Sequence, residues 1–427
     1  MTMIWAGMQL TEKECRAAAV SSVSLAQATQ VAGLQQNGRR WVCQRCGERQ
    51  LRALPAGGQY CPSCVGLDRI TSETTLVRFA APPIAWRGQM SWQGELTPAQ
   101  QAAQRGVLAS VAAGRDHLLH AVTGAGKTEM LFAVVAAVLR QGRRVAWATP
   151  RVDVVRELAP RLASAFQGTP LVARYGGAPW PSVDAQLVVL TTHQLLRYHQ
   201  AFGLIIVDEV DAFPYPQTPM LAYGVRQAAS GPVVFLTATP GEALQRAARR
   251  GQIGVSRLLT RFHGAPLPVP RPLIRRGRRW PHRLDKVIVR RLTLLKNADS
   301  KLLLFVPQID WLKPLVRQLV ALGWQAAGVH ASDPEREAKV LAFRQGQLDC
   351  LVTTTILERG VTIPHCAVLV LGADSPLFSA AGLIQMAGRA GRSADFPADP
   401  VYFVARHWTA DQLRAIATIR RTNRGRA

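Results

Sequence analysis

The sequence predicts an α/β protein of two tandem lobes with parallel sheets, preceded by a small four-cysteine zinc module, and three observations predict it. A phosphate-loop pattern, Ala121-Val-Thr-Gly-Ala-Gly-Lys-Thr128, runs into an apolar helical stretch. Short apolar runs alternate with helical segments on both sides of residue 270, as expected when helices cover both faces of a parallel sheet. Two cysteine pairs, Cys43-Gln-Arg-Cys46 and Cys61-Pro-Ser-Cys64, stand ahead of the first lobe.

Residues 1–36 are polar and alanine-rich and read as an N-terminal extension, helical or loose. A zinc-binding module and its Pro- and aromatic-rich connector occupy 37–90. Seven cysteines in a cytosolic chain are reduced thiols or metal ligands, because that compartment does not sustain disulfides. The two pairs are fourteen residues apart, which lets two knuckles supply Cys43, Cys46, Cys61 and Cys64 to one tetrahedral Zn²⁺. With all four positions filled by protein, the site is structural, and an iron–sulfur cluster is the weaker alternative. Cys15, Cys350 and Cys366 show no partner pattern.

The first lobe spans 91–262, with apolar runs at 144–149, 186–190, 204–207 and 233–236 expected as strands. In the loop, consecutive N–H groups at a helix N-terminus wrap an anion, and Gly124 and Gly126 let the backbone approach. Thr123, Gly124, Ala125, Gly126, Lys127 and Thr128 are therefore the candidate ATP contacts. Lys127 supplies charge to the β- and γ-phosphates, and the Thr128 hydroxyl ligates Mg²⁺. After the buried run 204–207, Asp208 and Glu209 project from a strand C-terminus, where such sheets bind ligands. Asp208 is assigned to Mg²⁺ and Glu209 to the attacking water. Thr237-Ala-Thr239 ends the next strand.

Residues 263–284 carry five prolines and clustered arginines between 261 and 283, and read as a stiff basic connector. The second lobe, 285–427, has expected strands at 301–306, 324–329, 350–354, 367–371 and 401–404 and ends in a basic tail whose default reading is a solvated segment. Having no phosphate loop, it fits a composite site at the cleft between lobes. Gln385-Met-Ala-Gly-Arg-Ala-Gly-Arg392 begins a helix there, so Arg389 and Arg392 are candidate arginine fingers for the γ-phosphate. Across the chain, 52 Lys and Arg against 27 Asp and Glu give a net charge of +25. That balance implies a polyanionic partner, nucleic acid ahead of anionic lipid. No apolar run reaches the ~18 residues of a membrane span, and residues 1–8 lack a secretory leader. The expected location is the cytoplasm, including a peripheral position at the inner face of the membrane.

In this order the phosphate loop, the Asp-Glu pair and the arginine helix resemble superfamily 2 helicases, which implies RecA-like lobes. Leu96-Thr-Pro-Ala-Gln100 is similar to an adenine-recognising Q motif. Thr149-Pro-Arg151, Gly176-Gly177 and Thr191-Thr-His-Gln-Leu195 resemble DNA-contacting motifs, and Leu303-Leu-Phe-Val-Pro307 and Thr353-Thr-Thr-Ile-Leu-Glu-Arg-Gly-Val-Thr362 resemble motifs IV and V of the second lobe. The cysteine module before the first lobe, the Trp92-Gln-Gly-Glu-Leu-Thr97 entry and Glu358-Arg-Gly-Val-Thr-Ile-Pro364 together resemble the ComFA family, late competence ATPases of naturally transformable bacteria. The resemblance covers about 41–404. It implies a DNA-stimulated ATPase that draws single-stranded DNA through the membrane channel, with ComFC as partner, and a homo-oligomer. It also implies adenine recognition by Gln100 and DNA contact by Arg151, Thr192, Thr355 and Arg359. The alternatives are a replication-restart or repair helicase of the same superfamily and a non-catalytic DNA-binding scaffold. Absence of a large zinc-bearing insertion in the second lobe opposes the restart enzyme, and intact Lys127, Asp208, Glu209 and Arg392 oppose the scaffold.

Overall fold

The computed structural model describes residues 4–38, 40–55, 57–275, 283–357 and 363–425. The chain divides into two compact units, Met1–His120 with Lys127–Arg257 and Ala121–Gly126 with Leu258–Ala427.

In the first unit a seven-stranded sheet runs in the order Leu171–Arg174, Leu187–Thr191, Val145–Thr149, Leu204–Val207, Val233–Thr237, His117–Ala121, Gly254–Leu258. Its central pairs are parallel, with Val207 opposite both Ala148 and Phe235. Leu187–Thr191, Val145–Thr149, Leu204–Val207 and Val233–Thr237 are enclosed on both faces, which explains their unbroken apolar composition. The two outer strands, Leu171–Arg174 and Gly254–Leu258, escaped the sequence reading. They are half-exposed, so their hydrophobic run is diluted.

The described part of the N-terminal segment, residues 4–36, forms ordered structure. Gln9–Thr11 and Thr29–Ala32 flank Thr75–Arg78 in an antiparallel three-stranded sheet. Met8, Leu10, Val77 and Phe79 are buried in the same core as Leu195, Tyr198 and Phe202. Each such side chain withdrawn from water contributes about 1.5–3 kcal/mol, which fixes an otherwise polar segment on the lobe. Helix Glu12–Ala17 starts with a capping box in which Thr11 and Glu14 satisfy each other's backbone N–H groups.

The second unit has a six-stranded sheet in the order Arg271–Ile274, Val401–Ala405, Cys366–Leu371, Lys301–Phe305, Cys350–Thr353, Ala326–Val329, with every pair parallel. Arg271–Ile274 falls inside the stretch expected to be a connector. It is an exposed edge strand, where Pro272 costs no central ladder bond. Residues 276–282, the basic centre of that stretch, lie outside the described residues. The basic tail is also ordered differently from its default reading. Helix Ala410–Arg424 buries Ala415, Ile416 and Ile419, and the Asn423 side chain exchanges two 2.9 Å hydrogen bonds with the Leu267 backbone. Among the described residues no helix is long and apolar enough to cross a membrane.

Candidate nucleotide, metal and nucleic-acid sites

The nucleotide-site candidates divide between the two units. Within the first unit, Lys127 and Thr128 lead through the turn Glu129–Leu131 into helix Phe132–Arg140. At the end of Leu204–Val207, the Asp208 N–H donates to the Ala148 carbonyl at 2.7 Å, which continues the ladder one residue past the strand. Asp208 Oδ1 accepts from the Glu209 N–H at 2.8 Å. Glu209 adopts φ +55°, a left-handed conformation costly for a residue with a Cβ, as found where a functional side chain must be re-aimed. Asp211 accepts from the Thr237 and Thr239 hydroxyls at 2.6 and 2.8 Å, so the acidic segment is clasped to the neighbouring strand end.

Gln100 is buried near the start of helix Pro98–Ala112. Its side-chain oxygen accepts from the Thr97 N–H at 2.8 Å, closing a capping box with Thr97. The side-chain oxygen is thus committed to the helix start.

Within the second unit, Gly124 and Gly126 take φ +80° and +71°, the left-handed turns that a phosphate cradle requires. Thr123 Oγ1 lies 3.3 Å from Gln385 Oε1, and a Cβ at Gly388 would come within 2.7 Å of the same hydroxyl. Gly388 is therefore a close-approach position. Arg389 is only 4 % exposed, while Arg392 is partly exposed and its Nε donates to the Gly388 carbonyl at 3.0 Å. Arg261, which belongs to no sequence motif, is a buried side chain that donates to the Gly391 carbonyl and passes beside Gly124. No local pattern marks it, because its partners are more than a hundred residues away.

For nucleic acid the expected contacts separate. Arg151 is partly exposed at the start of helix Val152–Ala165, and Thr355 is partly exposed in the turn Thr355–Leu357. Thr192 is 0 % exposed, and its hydroxyl has no hydrogen-bond partner. The partly exposed member of that segment's start is His193. Arg359 lies outside the described residues, as does the segment 358–362 to which it belongs.

The four cysteines converge. Their Sγ atoms all lie within 4.8 Å of one another, with Cys43–Cys64 at 3.8 Å and Cys46–Cys61 at 3.4 Å. A tetrahedral Zn²⁺ with Zn–S bonds of about 2.3 Å has edges of ~3.8 Å, close to the separations of this sulfur set. Hydrogen bonds from Cys46 and the other two thiols hold Cys43 far below the ordinary thiol range, whereas Cys64 is pushed far above it. A bound cation would stabilise all four as thiolates together. Gly47 closes the first knuckle at φ +74°, and a Cβ there would strike the Tyr223 ring at 2.5 Å. The module shares its core with Leu196 and Met220 and is seated on the first lobe. By contrast, burial raises the Cys15 thiol to about 11 and Cys366 to about 12, consistent with inert packing residues.

Family comparison agrees with this division. Residues 97–247 match the DEAD/DEAH box helicase model, and residues 283–394 match the helicase conserved C-terminal domain. Competence protein ComFA of Bacillus subtilis (strain 168) is 40% identical over 383 residues, covering 86% of this chain and 82% of that protein. Competence protein ComFA of Streptococcus pneumoniae is 38% identical, covering 90% of each. Transcription-repair-coupling factor of Staphylococcus haemolyticus is 26% identical over 72% of this chain and 27% of its own length. Among solved structures, Mycobacterium smegmatis helicase Lhr bound to ssDNA and AMP-PNP superposes with TM-score 0.58 at 20% identity, covering 78% of this chain and 48% of that one. S. cerevisiae Dbp5 bound to RNA and ADP BeF3 gives 0.57 at 18% identity, covering 77% and 88%. At those identities the structures establish the two-lobed helicase fold.

Proposed function

The chain belongs to the ComFA family of competence proteins, and on that premise we propose that it is an ATP-driven, helicase-like motor that acts on single-stranded DNA during DNA uptake. The observation that carries the reading is the strand-end constellation of the first unit. Asp208 and Glu209 stand beyond a fully buried parallel strand, with Glu209 held at φ +55° and Asp211 clasped by two threonines. A left-handed glutamate at that point is a cost that folding alone does not demand, and it supports separate roles for the two carboxylates.

In this reading the glycine turn at 124–126 and Lys127 hold the ATP phosphates. Mg²⁺ would be held by Thr128 and Asp208, where it supplies Lewis-acid neutralisation of phosphate charge. Glu209 orients the attacking water and accepts its proton. Arg389 and Arg392 neutralise the charge that develops on the transferred phosphoryl oxygens. Gln100, its oxygen committed to the Thr97 N–H, meets the adenine through its amide NH₂. The strand backbone is met by Arg151, Thr355 and Arg359, with His193 taking the place expected for Thr192. Zn²⁺ bound by Cys43, Cys46, Cys61 and Cys64 has no reactive position and holds the module in its fold. Partners carried by the family reading are ComFC, the membrane DNA channel at the inner face of the cytoplasmic membrane, and further copies of this chain.

The test is ATP turnover by the purified protein with and without single-stranded DNA of mixed sequence. The expected result is magnesium-dependent hydrolysis that rises with DNA, and DNA affinity that falls steeply with salt while changing little with sequence. Turnover indifferent to DNA, in a protein that binds it, would remove the motor from the reading and leave an ATPase.

A further inference from the structure

A buried charge cluster joins three segments far apart in the chain. Glu14, on helix Glu12–Ala17, accepts from Arg45 of the first cysteine knuckle through one oxygen and from Arg197 Nε at 2.7 Å through the other. The three side chains are 6 %, 0 % and 13 % exposed. Arg197 uses its remaining donors in two further directions. Its Nη1 donates to Gln194 Oε1 at 2.7 Å, and its Nη2 donates to the Leu67 carbonyl, just past the second knuckle, at 3.3 Å. Arg45 reaches the Asp68 carbonyl at 3.4 Å, and Asp68 in turn accepts from the Thr11 hydroxyl at 2.5 Å.

One carboxylate thus bridges two guanidiniums in a shielded place. The face of Trp180 also meets guanidiniums, with Arg197 at 5.6 Å and Arg174 at 4.9 Å from its ring centre, and Trp5 packs edge-on against the same ring. Arg174 ends the strand leading to the Gly176-Gly177 turn, and its guanidinium donates to the Pro179 carbonyl on the other side of that turn. Both first-lobe segments at issue, the Gly176-Gly177 turn and the Thr192–Arg197 turn, are therefore tied to the N-terminal module. The Gln9 side chain adds a third tie to the second turn, donating to the Leu196 carbonyl at 3.0 Å.

Hydrophobic packing would seat the module more cheaply than three buried charges. A buried ion cluster adds geometric specificity when each member has directional partners, and here Arg197, Gln9 and the Trp180 ring carry the cluster onto segments adjoining the expected strand track. We propose that Glu14 is a positioning residue for nucleic-acid binding: through Arg45 and Arg197 it sets the Thr192–Arg197 turn, and through Trp180 the Gly176-Gly177 turn, at the spacing a single strand requires. The N-terminal helix and cysteine module thus act as a brace for the DNA track. The inference rests on the single-stranded DNA reading above.

The sign of one substitution separates the brace from bulk electrostatics. Removing an acidic residue raises the net positive charge, so a charge effect alone tightens binding to a polyanion. The brace requires Glu14→Ala to weaken single-stranded DNA binding, by about tenfold if one coupled buried interaction is lost. KM for ATP, basal turnover and zinc content should stay at parent values. Lys13→Ala, exposed on the same helix and only 3.8 Å from Asp68 at its closest, should change affinity mainly by its charge.

Should Glu14→Ala not fold, Glu14→Gln and Arg197→Lys carry the test, since each keeps part of the hydrogen bonding. Both should lie between parent and Glu14→Ala in affinity, and Glu14→Ala combined with Arg197→Ala should be no weaker than the weaker single variant. Folded Glu14 variants that bind DNA as tightly as the parent, or more tightly, overturn the brace. So do variants whose basal turnover, zinc content and DNA binding all fall together, because the cluster would then serve folding alone. A parent protein that does not bind single-stranded DNA at all would defeat the motor reading instead.

Discussion

Replacing Glu209 in two ways separates its chemistry from the strain it carries. At φ +55° a residue with a Cβ sits about 1–2 kcal/mol above its right-handed alternative. Glycine has no such penalty there but gives up roughly 0.5–1 kcal/mol of backbone entropy on folding. Glu209→Gly should therefore be more stable than the parent by up to ~1.5 kcal/mol, at about 2–4 °C in Tm per kcal/mol for a unit of this size. Glu209→Gln keeps the backbone penalty and should melt with the parent. Both variants lose the carboxylate that accepts the proton of the attacking water, so turnover should drop by ~10²–10⁴. Asp208, Lys127 and Thr128 are untouched, so ATP affinity should hold. The assays are calorimetric melting of the magnesium-free protein, steady-state ATP hydrolysis, and equilibrium binding of a fluorescent ATP analogue. A Gly variant that melts below the Gln variant refutes the strain argument. Parental turnover in Glu209→Gln refutes the assignment of the water to Glu209, and loss of ATP binding refutes the separation of its role from that of Asp208.

Lys127→Ala should abolish ATP hydrolysis while circular dichroism and melting stay parental, because the lost charge serves the phosphates; full activity would remove the catalytic reading. Gly47→Ala should destabilise the first unit by about 2–4 kcal/mol, since a Cβ would meet the Tyr223 ring at 2.5 Å in a left-handed turn, and a parental Tm would show that the knuckle is not seated as described. The protein should hold about one zinc per chain, and Cys43→Ser should lower both zinc content and the Tm of the first unit, because the module shares a core with Leu196; iron, or no metal in freshly reduced protein, would overturn the zinc assignment. Arg392→Ala should keep DNA affinity and lose DNA-stimulated turnover by at least ~10³, whereas weakened DNA binding with normal turnover per bound complex would move Arg392 to the DNA track.

Local chemistry is legible in the sequence itself. The glycine turn at 124–126, the apolar strand ahead of Asp208 and the two cysteine knuckles each lie within a few residues, so spacing alone encodes them. Both parallel sheets followed from runs such as 204–207 and 367–371, whose composition reports burial on two faces. Segments whose partners are remote behaved otherwise. Residues 1–36 read as an extension because Met8 and Leu10 are too few to form a periodic pattern, yet they enter a core supplied by Leu195 and Phe202. Arg271–Ile274 carries Pro and Arg that argue against a strand, but an edge tolerates both, and its partner Val401–Ala405 is supplied from near the other end of the chain. Thr192 belongs to a motif whose members are otherwise expected to meet DNA, and only the packing around it reveals that its hydroxyl is enclosed. The same reason hides Glu14, Arg45, Arg197 and Arg261: a buried arginine has no signature in its own neighbourhood, since what stabilises its charge is a carboxylate, carbonyl or aromatic face that the fold brings from a distant stretch of chain.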